Sequence, residues 1–207
     1  MTDKDKLARI AVEAPCYEAR REAVCKISDQ IVLTYIAKND KECWQVREKA
    51  IEKLTDQKEI ANIAKNDKEC WQVREKTIEK LTDQKEIANI AKNDKEKWVR
   101  EEAVRKLIDQ TEIAYIAKND KESSVREEAV RKLIDQTEIA YIAKNDKEMW
   151  VRVEAVRKLT DQTILAEIAK TKCVWFIIRG LMEKLTNRNL LFDVLKNANA
   201  KEARWCA

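Results

Sequence analysis

Apolar residues recur along this chain with the spacing of short amphipathic helices. In the stretch DQTEIAYIAK, which begins at Asp109, the residues Ile113, Ile116 and Ala117 fall on one face of a helix. Asp109 and Glu112 stand three residues apart, which is the spacing of a capping box at a helix N-terminus. The pattern predicts a first helix of about nine residues with its own start signal.

The next stretch, NDKESSVREEAVRKL, carries the pattern of a second helix. Val125, Ala129 and Leu133 recur at i, i+4 and i+8, and so share one face. Asn119 and Glu122 repeat the capping spacing, which predicts a second helix of about thirteen residues. Helices this short are marginal in water by themselves, so we expect each pair to be stabilised by packing on its neighbours.

The two patterns recur with a period of 27 residues in the first copies and 26 in the later ones. Gln45 and Gln72 are the extra residues of the longer copies. The sequence predicts one repeat domain over 1–207, with an N-terminal repeat (1–28), regular repeats (29–170) and diverged C-terminal repeats (171–207). This makes about seven repeats and a partial eighth, marked by arginines at equivalent positions: Arg20, Arg47, Arg74, Arg100, Arg126, Arg152, Arg179 and Arg204.

Repetition of helix pairs predicts an all-α protein, an α-solenoid of stacked antiparallel pairs of the HEAT or armadillo type. The composition agrees, because the chain of 207 residues has only one glycine and one proline. Tight hairpins and glycine-rich phosphate loops are therefore not expected.

Charge and targeting signals restrict the function only loosely. The 42 basic and 38 acidic residues leave a net charge of +4 and are finely interspersed, which permits nucleic-acid binding without indicating it. No stretch approaches the ~18 apolar residues of a membrane span, and the N-terminus lacks the pattern of a secretory signal. We expect no membrane partner and a cytoplasmic location.

Cysteines are expected to be reduced thiols. Cys16, Cys43 and Cys70 occupy one repeat position, and stacked helices separate equivalent atoms by about 8–10 Å, beyond the ~7 Å limit for bridged Cα atoms. The chain has no histidine and no close cysteine pairs, so neither a metal site nor a cofactor is expected.

The segments DKEKWVREEAVRKL, from Asp94, and DKESSVREEAVRKL, from Asp120, resemble the short HEAT-like repeats of phycobilisome-lyase relatives. In such repeats the aspartate and arginine of this pattern pair within the stack. The resemblance therefore implies a structural ladder, in which the aspartates hold the arginines. Its members are Asp94, Arg100, Asp120, Arg126, Asp146 and Arg152. The alternative is a phosphate-binding track, against which the aspartates argue.

Lysines stand near the end of successive first helices, where a cation complements the helix dipole. A basic ridge for an acidic partner is the alternative. These residues are Lys38, Lys65, Lys92, Lys118 and Lys144.

Aromatic residues interrupt the resemblance just before the second helix. They fall at one repeat position, with Ser124 as a gap and Trp175 nearly in phase: Tyr17, Trp44, Trp71, Trp98 and Trp150. Either the rings fill the joints between repeats, or they project outward as a binding stripe. The residue before each ring varies, as a contact surface or an unconstrained position would: Cys16, Cys43, Cys70, Lys97, Ser123 and Met149.

Identical residues repeated in each copy do not supply the converging, unlike groups of an active site, so we expect no catalysis. Among HEAT-like enzymes, deoxyhypusine hydroxylase needs histidines that are absent here, and nothing singles out a bilin lyase or a DNA glycosylase. The favoured function is a scaffold that binds a protein or peptide along one long face. Nucleic-acid binding through the tryptophan, arginine and lysine ladders is one alternative. A spacer, or a consensus-like repeat without a specific ligand, is the other.

The C-terminal segment is more apolar than the repeats before it. Terminal repeats ordinarily present a polar outer face, which this one lacks. We therefore expect end-to-end self-association through Leu190, Leu191, Phe192 and Trp205.

Overall fold

The computed structural model describes residues 2–40, 43–66, 70–170 and 175–197. Within these ranges the chain forms helices and no β-strand. Trp205 lies outside the described residues. The helices are α1 (Asp3–Glu13), α2 (Tyr17–Lys26), α3 (Gln30–Asn39), α4 (Trp44–Lys53), α5 (Gln57–Asn66), α6 (Trp71–Lys80), α7 (Gln84–Asn93), α8 (Lys97–Lys106), α9 (Gln110–Asn119), α10 (Ser123–Lys132), α11 (Gln136–Asn145), α12 (Met149–Lys158), α13 (Gln162–Lys170), α14 (Trp175–Lys184) and α15 (Arg188–Asn197).

Contacts group these helices into two compact units, 1–107 and 108–207. In the first unit α1 packs on α2, α3 on α4, α5 on α6 and α7 on α8. In the second unit α9 packs on α10, α11 on α12 and α13 on α14, while α15 packs on α13. The chain is therefore an all-helical repeat of consecutive helix pairs in the part that the structure describes.

The core of each repeat consists of the apolar stripes that the sequence predicts. Ile113, Ile116 and Ala117 of α9 are buried, as are Val125 and Ala129 of α10, which confirms both periodicities. Burial of each large aliphatic side chain contributes about 1.5–3 kcal/mol. In the first unit, second helices contact each other more extensively than first helices do, whereas in the second unit the contact between α13 and α15 is more extensive than that between α12 and α14.

The first helices from α3 to α13 begin after an aspartate whose side chain caps them, whereas Thr2 caps α1 and Asn187 caps α15. The carboxylate of Asp109 accepts hydrogen bonds from the backbone N–H groups of Thr111 (2.8 Å) and Glu112 (3.3 Å). Such a cap contributes about 1 kcal/mol. Second helices end without glycine: Leu133 adopts an extended conformation after α10, and its fully buried side chain fixes the turn into the next repeat.

The predicted start of the second helix is wrong. Asn119 is the last residue of α9, and its side-chain amide donates to the carbonyl of Tyr115 at 2.8 Å. Asp120 instead organises the turn by accepting from the N–H of Glu122 at 2.8 Å. Glu122 is the N-cap residue of α10 and makes no side-chain capping bond, so α10 has 10 residues rather than about thirteen.

Candidate interaction surface

Of the tryptophans at the start of α4, α6, α8 and α12, three are exposed. The exposed fraction is 38% for Trp44, 58% for Trp71 and 57% for Trp150, and Trp98 is half-buried. The interpretation that these rings fill the joints between repeats is therefore wrong for the first three. The alternative, rings that project outward, describes them.

The aromatic residues do not share one position relative to the core. Trp44 and Trp71 are the first residues of their helices, because the extra residue of the longer copies lies between tryptophan and valine. Trp98 and Trp150 are second residues. Since one residue corresponds to a rotation of about 100° in a helix, the rings point in two directions.

The residues at the position before each ring also differ in their exposure to solvent. Cys43 is buried, and its thiol donates to the side-chain carbonyl of Gln45 at 2.8 Å. Its prediction as a contact residue is therefore wrong. Lys97 is exposed, whereas the other predicted contact residues at or beside this position are half-buried: Cys70, Ser123, Ser124 and Met149.

A groove of about 920 Å³ in the first unit brings two of the rings together. Trp71 and Trp98 line it, with Lys65 and Lys95 from the neighbouring helix ends and turns. The guanidinium carbon of Arg74 lies 5.5 Å from the ring centroid of Trp98, within the range of a cation–π interaction. The groove thus presents lysines and two aromatic rings, of which that of Trp98 is partly covered by Arg74.

A smaller groove of about 320 Å³ occurs at the corresponding turns of the second unit. Tyr141 takes the aromatic role here, and the ammonium of Lys118 lies 5.9 Å from its ring centroid. Lys121 and Lys147 lie on the rim, and Arg126 and Asp146 also line the groove. Both units therefore carry a groove that combines an aromatic ring with cations.

The arginines of the structural ladder are held across repeats. Arg126 is almost fully buried, and its guanidinium donates to both carboxylate oxygens of Asp146, in the following repeat, at 2.8 and 2.9 Å. From its own repeat it reaches the backbone carbonyls of Asp120 (2.9 Å) and Lys121 (3.4 Å). The hydrogen bond to Asp146 raises the pKa of Arg126 against the cost of burial.

The same register recurs along the ladder. Arg20 pairs with Asp40, and Arg74 pairs with Asp94, each in the following repeat. Arg100 and Arg152 reach backward to the backbone carbonyls of Asp94 (2.8 Å) and Asp146 (2.6 Å). Asp94 and Asp146 thus each accept from one arginine at the side-chain carboxylate and from a second arginine at the backbone carbonyl. These contacts join adjacent repeats.

The lysines near the ends of first helices form ion pairs with the next repeat. This contact is additional to the interaction with the helix dipole that the sequence suggests. Lys118 pairs with Glu138 at 2.8 Å and Lys144 with Glu167 at 2.9 Å. Lys38 and Lys65 pair in the same way with glutamates one repeat later. Each pair is partly exposed and contributes about 0–1 kcal/mol.

A glutamine clamp, which the sequence analysis missed, also joins repeats. The side-chain amide of Gln136 donates to the carbonyl of Lys158 at 3.4 Å and accepts from the N–H of Thr160 at 3.0 Å. Gln30 and Gln162 bond equivalent groups. The sequence contains a sign of this clamp, because a glutamine follows the capping aspartate in every regular repeat. Only the packed structure shows which groups the glutamine side chain bonds.

Lysines at the ends of second helices are committed to backbone carbonyls of the preceding repeat. The ammonium of Lys184 donates to the carbonyls of Leu159 (2.6 Å) and Val156 (3.2 Å), and Lys53 donates to Cys25 at 2.5 Å. These lysines therefore add little charge that an external anion could use. Burial lowers the pKa of five of them below the usual 10.5: Lys80, Lys106, Lys132, Lys158 and Lys184.

The described residues carry neither a membrane-spanning helix nor a candidate metal-ion site. None of their helices combines the length and hydrophobicity needed to cross a membrane. No group of three or more acidic or cysteine side chains in these ranges is arranged to hold a metal ion. In comparisons with known proteins, the chain matches no family profile, and no curated protein is significantly similar to it.

Proposed function

We propose that this chain is a HEAT-like α-solenoid that binds a protein or peptide segment along the exposed side of its second helices. The observation that carries the proposal is the exposure of Trp71 and Trp150, at 58% and 57%. Large rings at the surface contribute apolar contact area with little loss of side-chain freedom, which is why tryptophan is enriched at binding hot spots.

The grooves beside these rings support the same function. A groove of about 920 Å³ against Trp71 is wide enough for a side chain or turn of a partner, and its lysines provide polar rim contacts. The ladder arginines Arg74 and Arg126 are already paired with aspartates, and Arg152 donates to the backbone carbonyl of Asp146. They therefore act as scaffold and leave the rings and the rim to recognise the ligand.

The alternative, nucleic-acid binding, uses the same rings as stacking platforms for bases. The proposal favours protein because the cations that would neutralise phosphates have partners within the chain. Arg126 is bound by Asp146, Lys118 by Glu138, and Lys184 by backbone carbonyls. Backbone phosphates would have to compete with these contacts.

Selection from a phage-displayed peptide library on the immobilised chain tests the proposal. We expect enriched peptides whose affinity falls by about tenfold or more when Trp71→Ala or Trp150→Ala replaces the chain, since hot-spot truncations cost about 2 kcal/mol. Tyr115→Ala is the matched control, because Tyr115 is 54% exposed but lies on a first helix. Enrichment that is absent, or equal on all four proteins, contradicts the proposal.

A further inference from the structure

The groove between α12 and α14, in the second unit, differs from every other surface described above because two acidic residues of the repeat are missing there. Ten-residue helices align α10, α12 and α14 position by position. Glu127, the fifth residue of α10, corresponds to Val153 in α12. Glu154, the sixth residue of α12, corresponds to Gly180 in α14, the only glycine of the chain.

These replacements change the surroundings of one arginine. In the regular repeat, Arg131 contacts three carboxylates: Glu127, Glu128 at 3.0 Å and, in the next repeat, Glu154 at 3.7 Å. Its equivalent, Arg157, keeps one of the three among the described residues, Glu154 at 3.3 Å. The side chain is correspondingly more exposed, at 70% against 48% for Arg131.

An apolar hollow of about 480 Å³ stands where the missing carboxylates would be. Val153, Val156 and Ile177 form its apolar lining, and the exposed ring of Trp150 borders it. Among the described residues, a Cβ atom at position 180 would make an ordinary van der Waals contact with Cγ1 of Val156, at 3.9 Å. Gly180 therefore lacks the side chain that would otherwise extend into the hollow.

The charges around the hollow are mainly positive. Arg157 and Arg179 are both largely exposed, and Arg179 is paired within its helix with Glu183 at 3.0 Å. Lys184 also lines the groove, but its ammonium is held by backbone carbonyls. A ligand that supplies a carboxylate would replace the acidic partners that Arg157 lacks, and an apolar side chain beside it would fill the hollow.

We infer that the α12–α14 groove binds an acidic segment of a partner protein, and this inference rests on the proposed function. An apolar side chain of the segment lies between Trp150 and Gly180, and a carboxylate of the segment contacts Arg157. Complementary charge and shape coincide in this groove. The groove thereby gives a chain of near-identical repeats a specific contact point.

A fluorescein-labelled peptide in which leucines are flanked by glutamates is the probe, and fluorescence anisotropy is the readout. Gly180→Glu restores the repeat residue, fills the hollow and gives Arg157 a second internal partner beside Glu154. We expect it to weaken binding by about tenfold or more, and Arg157→Gln to do the same. Gly180→Glu is expected to fold, because a Cβ atom there would meet no described atom closer than an ordinary van der Waals contact, and glutamate favours a helix more than glycine does.

Matched controls separate charge from position. Ile134→Glu adds the same negative charge at another exposed site of the same unit and is expected to leave binding unchanged. A peptide in which lysines replace the glutamates is expected to bind at least about tenfold more weakly than the probe. Equal binding of the two peptides, or equal affinity of wild type and Gly180→Glu, overturns the inference.

A labelled single-stranded oligonucleotide provides the remaining comparison. The inference is wrong if the oligonucleotide binds the wild type, Gly180→Glu abolishes that binding, and the acidic peptide does not bind. The groove would then bind a nucleic acid. The peptide selection with Trp71→Ala is independent of this groove. Trp71-dependent peptides without binding of the acidic probe would therefore remove the inference and leave the proposed function standing.

Discussion

Arg126 and Arg131 lie on the same helix, α10, yet their surroundings differ. The side chain of Arg126 is 2% exposed and is bound by Asp146, itself 6% exposed. Arg131 is 48% exposed and pairs with Glu127 at the surface. The energetic effect of losing a carboxylate should therefore differ greatly between the two pairs, because a buried charge cannot be compensated by water.

Asp146→Asn is expected to lower the free energy of unfolding by about 3 kcal/mol. Asparagine retains an oxygen for the N–H of Glu148 but removes the charge that balances Arg126. Urea denaturation monitored by circular dichroism measures the change.

Glu127→Gln serves as the control, with an expected loss of less than about 1 kcal/mol. The double change of Arg126→Met with Asp146→Leu should recover much of the stability, because apolar side chains need no buried partner. Equal effects of Asp146→Asn and Glu127→Gln would refute the assignment of Asp146 as the buried counterion.

At the scale of helices and turns, the chain accommodates an inserted residue outside its core. The turn between α3 and α4 spans four residues, whereas the turn between α7 and α8 spans three. Val46 and Val99 are nevertheless both the third residue of a ten-residue helix, and both are fully buried. The insertion therefore changes the turn and the direction of the tryptophan, and leaves the apolar stripe in register.

Deletion of Gln45 should convert this repeat to the shorter kind at little cost. Trp44 would move to the second position of its helix, the place of Trp98, while Val46 keeps its contacts. We expect the free energy of unfolding to change by less than about 1 kcal/mol, because turn length affects stability weakly. Urea denaturation measures the stability, and circular dichroism checks that helix content is retained.

Deletion of Lys49 is the comparison, because it lies inside the helix. It would rotate Ala50 and Ile51 by about 100° away from the core, at an expected cost above about 3 kcal/mol. Similar stabilities of the two deletion variants would show that the register of α4 is not set by its buried stripe.

At the scale of the molecule, each unit is built from helix pairs that bury their apolar faces on one another, so a repeat at the end of the array has one neighbour fewer. Helix α15 illustrates this. Leu190 and Leu191 are half-buried, and Phe192 is 69% exposed. The apolar segment that the sequence associates with self-association is thus partly at the surface.

Self-association through α15 is therefore expected to depend on Phe192. Sedimentation equilibrium of the full chain should show a mass that rises with concentration, and Phe192→Ser should raise the dissociation constant by about tenfold or more, since a buried phenylalanine contributes about 2 kcal/mol. Tyr115→Ser removes an aromatic of comparable exposure from α9 and should have no effect. A strictly monomeric wild type at high concentration would contradict this expectation.

The sequence by itself determined the helices, their pairing along the chain and the buried stripes. This was possible because helical periodicity and aspartate caps are local: Ile113 and Val125 face the core wherever their repeat is packed. It did not determine the start of α10, because Asn119 is the last residue of α9 and Asp120 is the C-cap residue of that helix, so that α10 begins only after Glu122.

Only the tertiary structure decided which repeat each ladder residue contacts, and which tryptophans are exposed. The carboxylate that binds Arg126 is that of Asp146, in the next repeat, while Asp120 offers it a backbone carbonyl, because the distance between stacked helices, not sequence spacing, sets the partner of a long side chain. The same holds for Gln136 and for Trp150, whose environment depends on what the neighbouring repeat places opposite it. The hollow at Gly180 also depends on the neighbouring repeat. Glycine leaves space at the surface of α14, and this space forms a groove because the helix packed beside it, α12, carries Val153.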